Sequence, residues 1–239
     1  MSDDSFVRRT IEVIRVALVA PLLASGALML AVPAAAQSKD SAAAASPESK
    51  DRFANRKLNV GALGSQKVLV LPIGVVLVGD GAIADTAAMR LWRDPARSLG
   101  MADEALTNAL ALRSPEVAWV TPTETRRLVK RSAGLLPEAE RLGQVMLLRN
   151  GAKTLPDPLR ANLRTLSAMG GGRYALVPGG LVLRPDTAGT TRAVLTMIVG
   201  DPRTGEVLWR THAYGRGIGA DAALRAALDA TLPPEPQLP

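Results

Sequence analysis

A short apolar run rich in β-branched residues lies between Lys67 and Ile73, where the sequence reads KVLVLPI. A strand with one solvated face alternates apolar and polar residues, whereas this run is apolar almost throughout. It therefore predicts a strand that is buried on both faces of a sheet. Residues 74–78 are predicted to continue that strand after a break at Pro72.

Amphipathic segments that would cover such a sheet follow along the chain. Their apolar positions recur at helical spacing, and capping residues mark several of their starts. Helices are predicted at residues 98–112, 121–132, 137–148, 157–170 and 220–231. Ala102, Leu106 and Leu110 share the core-facing side of the first helix, and Leu159 and Leu163 share that of the fourth.

Further strands are predicted at residues 117–120, 174–184, 193–199 and 206–214. The pair Gly179-Gly180 indicates a bulge in the second of these strands. Residues 201–205, DPRTG, predict a tight hairpin, because proline presets one turn position and Gly205 supplies a left-handed one. A strand-helix-strand unit followed by a three-stranded meander predicts an α/β (α+β) fold. We expect a mixed β-sheet of about five strands flanked by helices.

Residues 1–36 have the order of a secretory signal peptide. Arg8, Arg9 and Arg15 precede an apolar run at residues 16–32, and three alanines end the segment. This order of charged, apolar and small residues predicts export and cleavage. The usual twin-arginine pattern does not follow, so we expect export through Sec into the periplasm. The alternative is a retained membrane anchor, but Pro21 and Gly26 interrupt the run, and its length is near the lower limit for spanning a bilayer.

The rest of the chain divides by composition. Residues 37–57 are rich in Ala, Ser, Lys and Asp without apolar periodicity, which predicts a flexible linker. Residues 58–232 are expected to form a single α/β domain, and residues 233–239 a proline-rich tail. The chain contains no cysteine, which excludes disulfides and cysteine-containing zinc sites. Without a cysteine there is no lipobox, so we expect a periplasmic protein that is not a lipoprotein.

The formal net charge of +7 bears on the class of partner. A basic chain is a candidate for nucleic-acid binding. Here the basic residues are spread along the sequence, and an exported protein seldom meets nucleic acid, so no nucleic-acid partner is expected. Attraction to an anionic envelope surface is physically reasonable for such a charge. A merely solvated basic surface is the simpler interpretation.

One glycine-rich motif resembles a cofactor site. Residues 79–84, GDGAIA, match the G-x-G-x-x-A pattern that lets a backbone approach a pyrophosphate. The second strand with an acidic residue that should follow within about 20 residues is missing. The irregular segment 79–97 is still long enough to be a functional loop. Asp80, Asp85 and Asp94 could face one another across it, although they lack the spacing of a calcium loop.

The sequence contains no recognisable catalytic set. His212 is the only histidine, and no second member of a general-base or metal site lies near it in the sequence. The G-x-S-x-G, S-x-x-K and H-E-x-x-H motifs are absent. We therefore expect no enzymatic activity, no metal and no cofactor. The alternative is an exported enzyme or cofactor binder that uses the segment 79–97.

Two groups of residues are candidates for binding a partner. Trp92 lies in the irregular segment near Arg90 and Arg93, which suggests an exposed anchor at an interface. Trp119 and Trp209 lie in predicted strands and are expected in the core. The second group is the basic arc of the second predicted helix, which consists of Arg126, Arg127, Lys130 and Arg131.

Several segments resemble a known group of envelope proteins. They are the KVLVLP strand, the helix at residues 103–112, the RYALVPGG strand, the VGDPRTGEVLWR hairpin and the final Ala/Leu helix. Together they resemble the periplasmic α/β domain shared by the TolB N-terminal domain, the curli-secretion protein CsgG and the LpoB-type activators of cell-wall synthases. The resemblance covers roughly residues 67–232.

This resemblance implies an envelope assembly or accessory role without enzymatic activity. Such a protein acts through contacts with another envelope protein or through self-association, and the group offers no catalytic residue to assign here. CsgG and LpoB are lipoproteins, and this chain has no cysteine to lipidate. Binding of an anionic envelope polymer through the basic arc is a further alternative.

Overall fold

Six strands form one mixed β-sheet in the computed structural model, which describes residues 51–64, 66–79, 87–132, 134–148, 151, 153–186 and 189–235. They are β1 (Lys67–Val70), β2 (Val76–Val78), β3 (Ala118–Val120), β4 (Tyr174–Pro185), β5 (Thr191–Gly200) and β6 (Val207–Gly217). The order is β3-β1-β4-β5-β6, and β2 also pairs with β4. Strands β1 and β2 run parallel to β4, β3 runs parallel to β1, and β4, β5 and β6 form an antiparallel meander. The predicted mixed sheet is confirmed.

Strands β1 and β2 are two parts of one interrupted strand beside β4. The amide of Leu71 donates to the carbonyl of Leu176 at 3.0 Å, and the amide of Leu181 donates to that of Val75 at 2.9 Å. Between these bonds the chain leaves the ladder, and β4 has its own register shift between Pro178 and Gly180. Both the predicted break and the predicted bulge are confirmed, and they lie at the same level of the sheet.

Helices cover both faces of the sheet. They are α1 (Ala87–Arg93), α2 (Pro95–Arg113), α3 (Pro122–Arg131), α4 (Asp157–Gly170) and α5 (Ala220–Thr231). Helices α1, α2 and α5 pack on one face, and α3 and α4 pack on the other with two short 3-10 helices, Ala139–Arg141 and Gln144–Leu148. Within the described parts of the chain, no helix combines the length and apolar character needed to cross a bilayer.

Strand β1 is buried on both faces, as its sequence predicts. Val68 and Val70 belong to the core cluster on the side of α2 and α5, whereas Leu69 and Leu71 belong to the cluster on the side of α3 and α4. All four side chains are at most 1% exposed. The alternation follows from strand geometry, in which successive side chains point to opposite faces.

Helix α2 begins about one turn earlier than the predicted start at residue 98. Asp94 is the N-cap, and its Oδ1 accepts hydrogen bonds from the amides of Ala96 at 3.0 Å and Arg97 at 3.3 Å. Pro95 then fits the first helical position, where its missing N–H costs nothing. The expected irregular segment 79–97 therefore contains α1 and the start of α2. Residues 80–86 lie outside the described residues.

The predicted helix at residues 137–148 is instead a pair of short 3-10 helices. Gly143 lies between them with a φ of +112°, which a regular helix does not allow. A Cβ built on Gly143 would lie 3.2 Å from the backbone nitrogen of Leu159, so α4 packs directly against this turn. Gly143 thus separates the two helical turns.

The chain ahead of β1 contacts β6 at the far edge of the sheet. The amide of Asn55 donates to the carbonyl of His212 at 2.9 Å, and the amide of His212 donates to that of Phe53 at 3.0 Å. Residues 51–57, expected to belong to a flexible linker, therefore pack on the domain. Residues 1–50, which hold the predicted signal peptide and the rest of that linker, lie outside the described residues, as do residues 236–239 of the tail.

Candidate functional site

The two edges of the sheet differ in how they are covered. At the β6 edge, Ala54 forms a parallel bridge with His212, and the amide of Tyr214 donates to Oδ1 of Asn55 at 2.7 Å. At the other edge, β3 pairs with β1, and no strand of the described chain lies on its outer side. An open strand edge is a template for pairing with another chain.

A groove of about 800 Å³ borders this open edge on the side of α3. Its floor is β3, and α3 and the end of α4 form its walls. Helix α3 is fixed here by a capping box: Oγ1 of Thr121 accepts from the amide of Glu124 at 3.3 Å, and Oε2 of Glu124 accepts from the amide of Thr121 at 2.8 Å. Met169, which is 39% exposed, lies at the rim formed by α4.

The groove is strongly basic. Its cationic lining residues are Lys67, Arg127, Lys130 and Arg131, all with exposed side chains. Glu124 is the acidic residue of the lining, and its carboxylate is engaged in the capping box. Across the described residues, no carboxylate lies within ion-pairing distance of these four cations. Three of the four residues of the predicted basic arc thus line one groove. The sequence pattern predicted the arc but not the groove.

Arg126, the fourth member of that arc, lies elsewhere. Its guanidinium donates to the carboxylate of Asp103 and, at 2.6 Å, to Oε1 of Glu140. The amide of Ile73 donates to Oδ1 of Asp103 at 2.8 Å. Arg126 is half-buried and does not line the groove with the other three, because this arginine bridges α2 to the turn that carries Glu140.

Burial dominates the electrostatics of Asp103. Its side chain is 5% exposed, and this burial raises the pKa of Asp103 to about 6, although the Ile73 amide and the Arg126 guanidinium act in the opposite direction. For Arg126, burial by itself would lower the pKa, but the two carboxylates outweigh it and raise the pKa. Asp103 lies on the apolar side of α2 with Leu106 and Leu110. A carboxylate at such a position in the sequence is a sign that it is buried and needs a charged or hydrogen-bonding partner.

A second cavity borders β3 on the opposite face of the sheet. It has a volume of about 310 Å³ and lies between β3 and the second half of α2, with Val70, Leu110 and Val117 among its apolar walls. Trp119 borders both cavities. Its Nε1 donates to the carbonyl of Ser114 at 3.0 Å, which fixes the half-buried indole at the edge of the sheet.

Trp92 is buried, contrary to the expectation of an exposed anchor. It is 1% exposed on α1, and its Nε1 donates to Oδ2 of Asp221 on α5 at 3.3 Å. Arg90 and Arg93 on the same helix are exposed. The helix turns the indole toward α5 while its arginines face outward. Trp209 is buried as expected, at 9% exposed.

The other candidate chemistry lies mostly outside the described residues. Of the glycine-rich motif at residues 79–84, the structure describes Gly79 alone, and Asp80 and Asp85 are not among the described residues. His212 contacts Asp51, a partner that sequence spacing did not reveal. The described parts of the chain hold no group of three or more His, Cys, Asp or Glu that could bind a metal ion.

Comparisons with known proteins give structural similarities without a sequence-level match. No protein-family model and no curated protein matches the sequence. The chain is similar to the LpoB C-terminal domain from Salmonella enterica, with 15% identity, a TM-score of 0.36, and coverage of 65% of this chain and 84% of that one. Lipoprotein GNA1162 from Neisseria meningitidis gives 16% identity, a TM-score of 0.30, and coverage of 64% and 81%.

A third similarity is to the PelC dodecamer from Paraburkholderia phytofirmans, with 10% identity, a TM-score of 0.27, and coverage of 70% of this chain and 84% of that one. These similarities concern the α/β arrangement of strands and helices.

Proposed function

We propose that this chain is a non-enzymatic accessory protein of the cell envelope, located in the periplasm, which acts by binding a protein partner. The observation that carries the proposal is the open β3 edge beside a groove lined by four cations. The export-type order of residues 1–36 and the sequence resemblance to the TolB, CsgG and LpoB group support the location and the class.

The groove suits a macromolecule better than a small substrate. Binding sites for small molecules are concave and mostly apolar, with a few convergent polar groups. This groove instead spreads the charges of Arg127, Lys130 and Arg131 over about one turn of the exposed side of α3. Such a surface attracts an acidic partner over a distance and selects against a basic one.

The same cations favour a second candidate function, the binding of an anionic envelope polymer. Phosphate-, sulfate- or carboxylate-rich chains would be attracted by charge alone, and their binding would weaken steeply with salt. A protein partner would also use the apolar rim at Met169 and the strand edge of β3.

Crosslinking in intact cells tests the proposed function. A photo-crosslinking amino acid is placed at Met169 on the groove rim, and at Leu208 on β6 as a control, since Leu208 is 46% exposed at the other end of the sheet. We expect an envelope protein to be captured from position 169 and not from position 208. Capture of envelope polymer without protein from position 169 would contradict the proposal and favour the second candidate function, the binding of an anionic envelope polymer.

A charge-reversal variant makes the test specific to the groove. Arg127→Glu with Arg131→Glu should abolish capture from position 169, because it reverses two charges of the lining. Arg203→Glu with Arg225→Glu makes the same change in net charge at exposed positions outside the groove, and should leave capture intact. Equal capture in both double variants would contradict a role for the basic groove.

A further inference from the structure

The two cavities beside β3 lie on opposite faces of the sheet. The basic groove lies on the side of α3 and α4, and the apolar cavity lies on the side of α2. Trp119 borders both cavities, and its Nε1 donates a hydrogen bond to the carbonyl of Ser114. The open edge of β3 therefore has different chemistry above and below it.

A strand added to this edge would present its side chains to both cavities. Successive side chains of a strand point to opposite faces, and paired strands lie about 4.8 Å apart. Every second side chain of the added strand would thus face Arg127 and Arg131. The side chains between them would face the apolar cavity walled by Val70 and Leu110.

We propose that the β3 edge binds an extended segment of a partner protein in which acidic and large apolar side chains alternate. The acidic residues enter the basic groove, the apolar residues enter the cavity beside α2, and the backbone pairs with β3. This inference rests on the proposed function and specifies the partner segment. It is an instance of recognition by strand addition, in which backbone pairing supplies affinity and alternate side-chain pockets supply specificity.

The structure favours this occupant for three reasons. The β6 edge is bridged by the backbone of Phe53 and Asn55, whereas no strand of the described chain pairs with the outer side of β3. Charge complementarity then selects acidic residues on one face, since the lining cations have no carboxylate partner among the described residues. The apolar walls select large apolar side chains on the other face.

Synthetic peptides test the alternation. The purified full chain is titrated by calorimetry with a peptide of alternating aspartate and leucine. Two peptides serve as controls: one has the same composition with its aspartates and leucines in separate blocks, and one alternates lysine and leucine. We expect binding of the alternating acidic peptide and at least about tenfold weaker binding of both controls. Equal binding of the block peptide would overturn the proposal.

Backbone pairing has its own test, which leaves the protein unchanged. Alternate N–H groups of a strand point to the same side, so N-methylation of one alternate set removes the donors that face β3. We expect one of the two N-methylated peptides to lose binding and the other to keep it. If both keep it, the peptide does not add as a strand and the proposal fails.

Variants of the protein test which cavity binds the acidic side chains of the peptide and which binds the apolar ones. Arg127→Glu with Arg131→Glu should weaken the alternating acidic peptide by about tenfold or more. Ala111→Phe, at an exposed position on the wall of the apolar cavity, should weaken it by filling the cavity. Arg203→Glu with Arg225→Glu is the control.

Two other occupants of the β3 edge are tested directly. Binding of dextran sulfate as tight as that of the peptide would indicate that the edge binds an anionic polymer. Dimerisation of the chain that blocks peptide binding would indicate that the edge binds a second copy of this chain. Either result would overturn the proposal.

The outcomes separate this inference from the proposed function. Protein capture from position 169 with no peptide binding would leave the accessory role standing and remove strand addition. Peptide binding in the expected pattern without protein capture in cells would instead leave the edge chemistry standing and remove the envelope partner.

Discussion

Oδ2 of Asp51 lies 2.5 Å from Nδ1 of His212, so a residue ahead of the domain is joined to the edge strand β6. The hydroxyl of Tyr214 donates to the same oxygen at 3.0 Å, and the amide of Phe53 donates to Oδ1 at 2.9 Å. Burial alone would raise the pKa of Asp51, but the hydrogen bonds outweigh it and lower the pKa below 3.8. The Asp51 contact therefore adds stability above pH 3.8 and loses it as the pH falls through the lower folded value.

Asp51→Asn should loosen the segment ahead of β1 while leaving the core intact. The variant keeps the shape of the side chain but removes the charge that accepts three hydrogen bonds. We expect faster amide hydrogen exchange at Asn55 and His212, whose amides join the segment to β6. Glu116→Gln, at an exposed position ahead of β3, is the control. Unchanged exchange at both amides would show that the backbone bonds hold the segment without Asp51.

Trp92→Ala should strongly destabilise the domain. The side chain is 1% exposed between α1 and the rest of the core, and truncation leaves a cavity that costs about 3–5 kcal/mol. Leu91→Ala is a neighbouring control, because Leu91 is 37% exposed and should cost less than about 1 kcal/mol. Thermal or urea unfolding measures both. A melting temperature that stays unchanged while partner binding is lost would restore the sequence-based interpretation of Trp92 as an exposed anchor.

Hydrophobic periodicity was enough to predict most of the fold. The continuous apolar run at Lys67–Val70 predicted a doubly buried strand, and α5 was predicted with the bounds it has in the structure, Ala220–Thr231. Leu159, Leu163 and Leu166 are fully buried, in line with the stripe of α4. These elements were predictable because their burial pattern repeats locally along the sequence.

The burial of Trp92 and the ion pairs of Arg126 were not predicted, because their environments come from distant parts of the chain. Helix α1 is too short for a clear period, and the partner of Trp92, Asp221, lies on the last helix. Arg126 has the spacing of a surface residue on α3, but Asp103 and Glu140 are brought to it by other elements. The basic character of α3 was predictable, whereas the open β3 edge depends on sheet order, which no local pattern specifies.

Two glycines with opposite surroundings should respond oppositely to alanine. A Cβ on Gly215 would lie 2.2 Å from the backbone nitrogen of Ala227 and 2.2 Å from the carbonyl oxygen of Ala223, so α5 rests directly on β6 there. Gly215→Ala must push the helix away and should cost about 3 kcal/mol or more. Gly100 lies exposed on α2 with nothing within 4 Å, so Gly100→Ala should stabilise by about 0.5–1 kcal/mol. Urea unfolding of both variants checks the pair, and a loss of stability in Gly100→Ala would contradict it.

Asp103→Asn should remove a pH dependence of stability. Burial raises the pKa of Asp103 from 3.8 to about 6, so the folded state binds more protons than the unfolded state between these values. The free energy of unfolding that Asp103 contributes therefore falls as the pH rises through this window and levels off above about pH 6. Relative to the variant, which does not titrate there, the natural chain should lose about 2–3 kcal/mol between about pH 4 and pH 7. Urea unfolding across that range measures the difference, with Glu138→Gln at an exposed site as the control; a difference that does not change with pH would mean that Asp103 titrates as it does in the unfolded chain.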